Sequence, residues 1–158
     1  SDVCSSDLYY NMKQAFKDYY TSIGIESPTL DRIELILNEY KLLLGENEFD
    51  ETFISDSINS EGIREYRNLW LFSKDYILEA KNFLFTDDFD IIRCPQKIIY
   101  IDIKKENFNF KDFNDKSRLH IVFHFNLPNS LGGDLTATRN NCLKLLEIFN
   151  KCIKTITN

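Results

Sequence analysis

No stretch of the chain stays apolar for the roughly 18 residues that a membrane-spanning helix needs. No lipidation motif or signal-peptide pattern is legible. No CxxC pair occurs among the 4 cysteines, and setting Cys4 aside leaves Cys94, Cys142 and Cys152, an odd number. That argues against a disulfide framework and against a zinc site, and it suits a reducing, cytoplasmic setting. Positive charge is also short: 19 Lys and Arg stand against 25 Asp and Glu, a net charge of -6. An acidic surface repels phosphate backbones, which disfavours nucleic acid as a ligand and favours solubility and a basic protein partner. Internal repeats and low-complexity segments are lacking too.

What is present is material for a core. Of 158 residues, 43% are hydrophobic and 14% aromatic, with 13 Phe and 8 Tyr. The mean hydropathy of -0.33 is ordinary for a globular chain and too high for disorder. The length suits one domain with a helical appendage. Residues 1–8, Ser1-Asp2-Val3-Cys4-Ser5-Ser6-Asp7-Leu8, resemble the in-frame translation of a sequencing adapter, and the only methionine is Met12. The octapeptide is therefore set outside the fold, and the start of the natural protein is left open.

Residues 9–45 have the texture of a helical hairpin. Tyr9, Met12, Phe16, Tyr19, Tyr20 and Ile23 recur at helical spacing before Gly24, a residue suited to a left-handed C-cap. Ser27 and Pro28 open a second helix with the stripe Leu30, Ile33, Leu37, Tyr40 and Leu44, closed by Gly45. Residues 46–62 are acidic and rich in Ser and Asn, and are expected to be a linker.

From residue 63 the pattern turns to β. Strands are expected over 66–73, 76–85, 89–94, 97–105, 107–113, 119–127 and 135–138, separated by turn-forming residues. In the clearest, Leu119, Ile121, Phe123, Phe125 and Leu127 alternate with His120, His124 and Asn126; Ile99, Ile101 and Ile103 share a face in another. Such alternation marks an antiparallel sheet covered on one side. A final helix over 139–156 carries the stripe Cys142, Leu145, Leu146, Phe149, Cys152, Ile153 and Ile156.

The fold class is thus α+β: an αα-hairpin, then a six- or seven-stranded antiparallel sheet or partial barrel closed by an amphipathic helix. Over residues 63–156 this order resembles a pleckstrin-homology-like domain in its small bacterial form. The phrase Arg67-Asn68-Leu69-Trp70-Leu71-Phe72-Ser73 and the strand-to-helix passage 135–149 carry the likeness. It implies a recognition platform in place of a catalyst. Two features depart from the pattern: the last helix has no Trp, and the first sheet hairpin offers only Lys74 beside Asp75, with Arg67 nearby. Phosphoinositide binding is therefore not implied.

Candidate chemistry is sparse. On a strand His120 and His124 stand roughly 13 Å apart, too far to share a metal ion. Cys142, near Arg139 early in the last helix, has the neighbourhood of a nucleophile but lies on the apolar stripe, where a free cysteine is a small hydrophobe. Cys152 lies about 15 Å further along that helix. Asp87, Asp88 and Asp90, and Asp112 with Asp115, suit turns better than acid–base work. Gly132-Gly133-Asp134 lacks the Lys and Ser/Thr of a phosphate loop and reads as a turn. The one concentration of cations is Lys104, Lys105, Lys111, Lys116 and Arg118, interleaved with Phe108, Phe110 and Phe113. It is the candidate binding patch, for an anionic ligand, with a solvated hairpin as the plainer reading.

No catalytic set, metal site or cofactor motif is legible. The expectation is a non-catalytic recognition or adaptor module of a bacterial or phage protein, whole or as a fragment of a longer chain, with a protein partner. A homodimer through the N-terminal helices is compatible. One alternative is a stand-alone acidic, immunity-type inhibitor steered onto a basic toxin. A second is a hydrolase or nuclease whose acidic residues converge only in three dimensions.

Overall fold

In the computed structural model, which describes residues 12–44, 49–93, 98–126 and 132–154, the N-terminal segment forms the two expected helices. They are α1 (Gln14–Ser22) and α2 (Ser27–Leu44). Gly24 between them has φ +90°, the left-handed conformation that a side chain would disfavour. The carbonyl of Glu26 accepts from the amides of Thr29 and Leu30, both at 3.0 Å, so α2 is capped one residue earlier than Ser27 suggests. Residues 9–11, Gly45, Leu127 and Ile156 lie outside the described residues.

The acidic segment expected to be a linker contains a strand. β1 (Glu51–Ile58) pairs antiparallel with β2 (Arg64–Phe72), Phe53 opposite Trp70. The reason for the difference is that Thr52, Ser55 and Asp56 are buried polar residues with hydrogen-bond partners. Hydropathy counts them as solvent-seeking, yet a satisfied polar group is tolerated in a core.

β3 (Tyr76–Ala80) and β4 (Asp90–Arg93) complete a four-stranded antiparallel sheet in the order β1-β2-β3-β4. β5 (Ile98–Glu106), β6 (Arg118–Phe125) and β7 (Gly132–Thr138) form a second, three-stranded sheet, also antiparallel. β3 ends at Ala80, short of the expected Phe85, because Asn82 takes φ +48° and a turn follows. Residues 107–113, expected as a strand, form a loop whose only pairing among the described residues is the bridge between Asn109 and Asp112. Asn109 and Asn114 side chains accept from amides two residues on, at 3.0 and 2.8 Å, which favours turns over a ladder. Gly132 and Gly133 open β7 and do not form a turn.

The second sheet has the predicted sidedness. Leu119, Ile121, Phe123 and Phe125 are buried, whereas His120 and His124 lie on the other face. On β5, however, Ile99 and Ile103 remain 65% and 47% exposed. Ile103 pairs with Ile121 and so shares the core-side face, but β5 is the sheet edge and the core stops short of it.

α3 (Asn141–Ile148) follows β7, packs on β1, β6 and β7, and widens into a π-helical turn over Phe149–Ile153. That turn brings Ile148 and Ile153 into the core and leaves Leu146, Phe149 and Cys152 half-buried. Among the described residues the two sheets do not join into a continuous barrel. One hydrophobic core nevertheless runs from the helical hairpin through both sheets to α3. Four consecutive residues of β2, Leu69 to Phe72, are buried, so both faces of that strand are covered. Trp70 stacks on Phe72 and tilts against Phe123 of the second sheet, at 6.2 and 6.5 Å between ring centroids. The aromatic faces of α1 and α2 are spent inside the chain, with Phe16, Tyr19, Tyr20 and Tyr40 buried. These aromatics are thus not surface groups for a homodimer, whereas Leu35, Leu42 and Leu43 of α2 are exposed.

Candidate functional site

Asp56, at the irregularity in β1, is fully buried and organises the meeting of the two sheets with both helical ends. Its Oδ2 lies 2.7 Å from Arg64 Nε and also accepts from the Thr138 hydroxyl. Its Oδ1 accepts from the Thr138 amide at 3.0 Å and from Asn141 Nδ2 at 2.8 Å. Arg64 donates further to the carbonyls of Ile23 and Thr138 and to Asn140 Oδ1. A buried carboxylate is tolerated only when its lone pairs are met in this way. The effect is to hold the end of β1 rigidly against β7.

Between that end and the outer face of the second sheet lies a cleft of about 260 Å³. Asp56, Ser57 and Ile58 form one wall; Lys104, Glu106, Arg118, His120, Thr136 and Thr138 line the rest. Register explains the convergence: Lys104 opposes His120, Glu106 opposes Arg118, and Thr136 and Thr138 continue the two rows on β7. Cross-strand neighbours stand about 5 Å apart, so the four central groups present one polar surface. His120 Nε2 is 2.5 Å from Asp134 Oδ1, at the next position along β7's outer face. Thr136 Oγ1 donates to the Asp56 carbonyl at 3.1 Å and joins floor to wall.

Of the five nominated cations, Lys104 and Arg118 meet in this cleft. Neither has an ion-pair partner among the described residues; Arg118 donates only to the carbonyls of Asp115 and Ser117, both at 2.8 Å. Lys105 faces the other side. Its Nζ donates to the Phe108 carbonyl at 3.0 Å and sits over the rings of Phe108 and Phe110. Lys111 and Lys116 are exposed on the 107–117 loop, away from the cleft. A larger cavity of about 360 Å³ is bounded by Asp50, Glu51, Phe72, Lys74, Lys151 and Cys152. There Glu51 already neutralises Lys144 and Lys151, each at 3.2 Å. Burial opposes ionisation of Glu51, but these two ammonium groups outweigh it and hold its pKa below the ordinary value.

The other nominated groups do not converge. Asp87 pairs with Arg32 at 2.9 Å, Asp90 with Lys81 at 3.6 Å, and Asp112 and Asp115 lie on the exposed loop. His124 lies beside Tyr100, with ring centroids 5.8 Å apart. No group of three or more His, Cys, Asp or Glu able to hold a metal ion occurs among the described residues. Burial pushes the thiol pKa values of Cys142 and Cys152 up to about 12, which disarms both as nucleophiles. Cys94 lies outside the described residues.

Sequence reasoning missed Asp56, Thr136, Thr138 and the part played by His120. For His120 the signal was present, since alternation along β6 places it on Arg118's face. For Asp56 there was none, because its segment read as a linker.

No helix among the described residues is long and apolar enough to cross a membrane. The chain matches no family model, no curated protein and no solved structure.

Proposed function

We propose that the chain is a recognition module of a bacterial or phage protein, built on a pleckstrin-homology-like platform, that takes an acidic segment of a protein partner. Seven antiparallel strands followed by a helix, among the described residues, support the platform part of this reading. One observation carries the functional reading. In a chain of net charge -6, two cations without ion-pair partners among the described residues, Lys104 and Arg118, share one concave surface. Lys104 and Arg118, neither drawn into an ion pair by Glu106 or Asp56 beside them, make that surface a favourable place for a carboxylate. Arg118, with its planar fork of donors, is the anchor, and Lys104 stands at the rim.

Selection from a randomised peptide-display library against the whole chain tests this. Acidic peptides should be enriched, and Arg118→Ala with Lys104→Ala should weaken their binding by about 2 kcal/mol, the scale of a charge-assisted hydrogen bond. Enrichment of neutral or basic peptides, or unchanged binding by the double variant, would refute the reading.

A further inference from the structure

β5 has a strand neighbour on one side only, β6, and its outer edge is unpaired among the described residues. An unpaired edge presents alternate N–H and C=O groups that are satisfied by water or by another strand. Charges at Asp102, Lys104, Lys105 and Glu106 and the irregularity at Ile98/Tyr100 blunt this edge in part, but Ile99, Tyr100 and Ile103 are 65%, 54% and 47% exposed. The register shift between Ile98 and Tyr100 breaks the strand at its start and leaves a regular run from Tyr100 to Glu106.

The sequence of that run, Tyr-Ile-Asp-Ile-Lys-Lys-Glu, is complementary to itself when laid antiparallel about Ile103. Ile103 then opposes Ile103 of the second copy, Asp102 opposes Lys104, Ile101 opposes Lys105 and Tyr100 opposes Glu106. The register uses every residue of the regular run and none of the bulge. Asp102 and Lys104 lie on one face, opposite Val122 and His120 of β6, and neither has a hydrogen-bond or ion-pair partner within the described residues. In the paired arrangement each acquires an opposite charge directly across the strands, twice over by symmetry. On the other face the two half-exposed Ile103 side chains cover each other. Phe110, 64% exposed beside Lys105, extends the apolar surface towards Ile101 of the second copy.

From this we infer that the chain forms a two-fold symmetric dimer through antiparallel pairing of β5 with β5 of a second copy, centred on Ile103. An isologous contact of this kind consumes both free edges and closes, so it gives a dimer and not a fibre. Asp102 and Lys104 fix the register. Arg118, on β6, is left free for the cleft, whereas Lys104 is drawn to Asp102 of the second copy, so the dimer stands without the functional reading above but competes with a carboxylate ligand for Lys104.

Sedimentation velocity of the whole chain across a concentration series decides the matter, with circular dichroism to verify that each variant is folded. The wild type should show a monomer–dimer equilibrium. Asp102→Lys sets two lysines against each other across the strands, and Lys104→Asp sets two aspartates against each other. Each should weaken self-association by about tenfold or more, because two cross-strand pairs turn from attractive to repulsive. Mixing the two folded variants should restore dimers, now mixed, because the lysines at both positions of one copy then face the aspartates at both positions of the other. A wild type that stays monomeric would overturn the inference and leave the edge to a strand from another protein. A dimer indifferent to both substitutions would overturn it equally, by placing the interface elsewhere.

Discussion

Tyr19 in α1 donates its hydroxyl to Asn141 Oδ1 in α3 at 2.7 Å, joining two residues 122 positions apart in a buried contact. The same oxygen accepts from the Ile54 amide at 3.0 Å, so one phenol ties the helical hairpin to β1 and to the C-terminal helix. Burial, with Tyr20 and Asp56 nearby, pushes its pKa well above the ordinary value, while the Ile54 bond and Arg64 pull less strongly the other way. The phenol therefore stays protonated and able to donate.

Tyr19→Phe should cost about 1–3 kcal/mol in urea denaturation, because the Asn141 and Ile54 groups are left buried with one partner fewer. A loss below about 0.5 kcal/mol, the low end for a single hydrogen bond, would show that hairpin docking rests on apolar contacts alone.

The Asp56–Arg64 pair predicts a larger effect. Arg64→Met strands a buried carboxylate and should cost about 3–5 kcal/mol. Adding Asp56→Asn should return part of that loss, since the double variant buries no charge, and a double-mutant cycle measures how much. Strict additivity would mean that the two groups do not interact.

Gly132→Ala should be strongly destabilising. A Cβ there would stand 1.8 Å from the Phe123 carbonyl oxygen, a backbone atom that cannot rotate aside. At Gly133 the nearest atoms belong to the Phe123 ring, at 2.5 Å, which can shift. Thermal melts should place Gly132→Ala below Gly133→Ala, with a cost of about 2 kcal/mol or more for the former. The reverse order would contradict the close approach of β7 to β6.

Glu79 supplies a pH dependence. Burial raises its pKa from 4.5 to about 7; Lys81 opposes the rise and Asp90 adds to it. The folded protein thus holds a proton that the unfolded chain releases. The stabilisation is complete below about pH 4.5 and is lost as pH rises through about 7. Glu79→Gln should match the wild type near pH 4 and exceed it by about 1–2 kcal/mol at pH 8. Parallel stability curves across that range would show that Glu79 titrates normally.

Cys142 and Cys152 should resist alkylation in the native state. With thiol pKa values near 12, the thiolate population at pH 8 is small. Site-resolved mass spectrometry after iodoacetamide treatment should find both modified at least roughly a hundredfold more slowly than in urea. Rapid native labelling of either would reopen a reactive role.

Periodicity alone determined the helices and the sidedness of β6, because repeats of 3.6 and 2 residues report directly which side chains share a face. The α+β class followed from the same signal, and the left-handed turn at Gly24 from the residue type that follows the first helix. Alternation could not say whether a face would be covered, and so Ile99 and Ile103 carried a core pattern onto an open edge. Nor could composition reveal β1, whose Thr52, Ser55 and Asp56 are buried by virtue of partners far away in sequence. The candidate cleft divides the same way. Lys104 and Arg118 were visible as local charge, but their separation from Lys105, Lys111 and Lys116, and their meeting with His120, Thr136 and the end of β1, depended on strand register. Local sequence determines propensity and face. Burial of polar groups, and the company that surface charges keep, are decided by contacts between distant segments, which only the tertiary structure supplies.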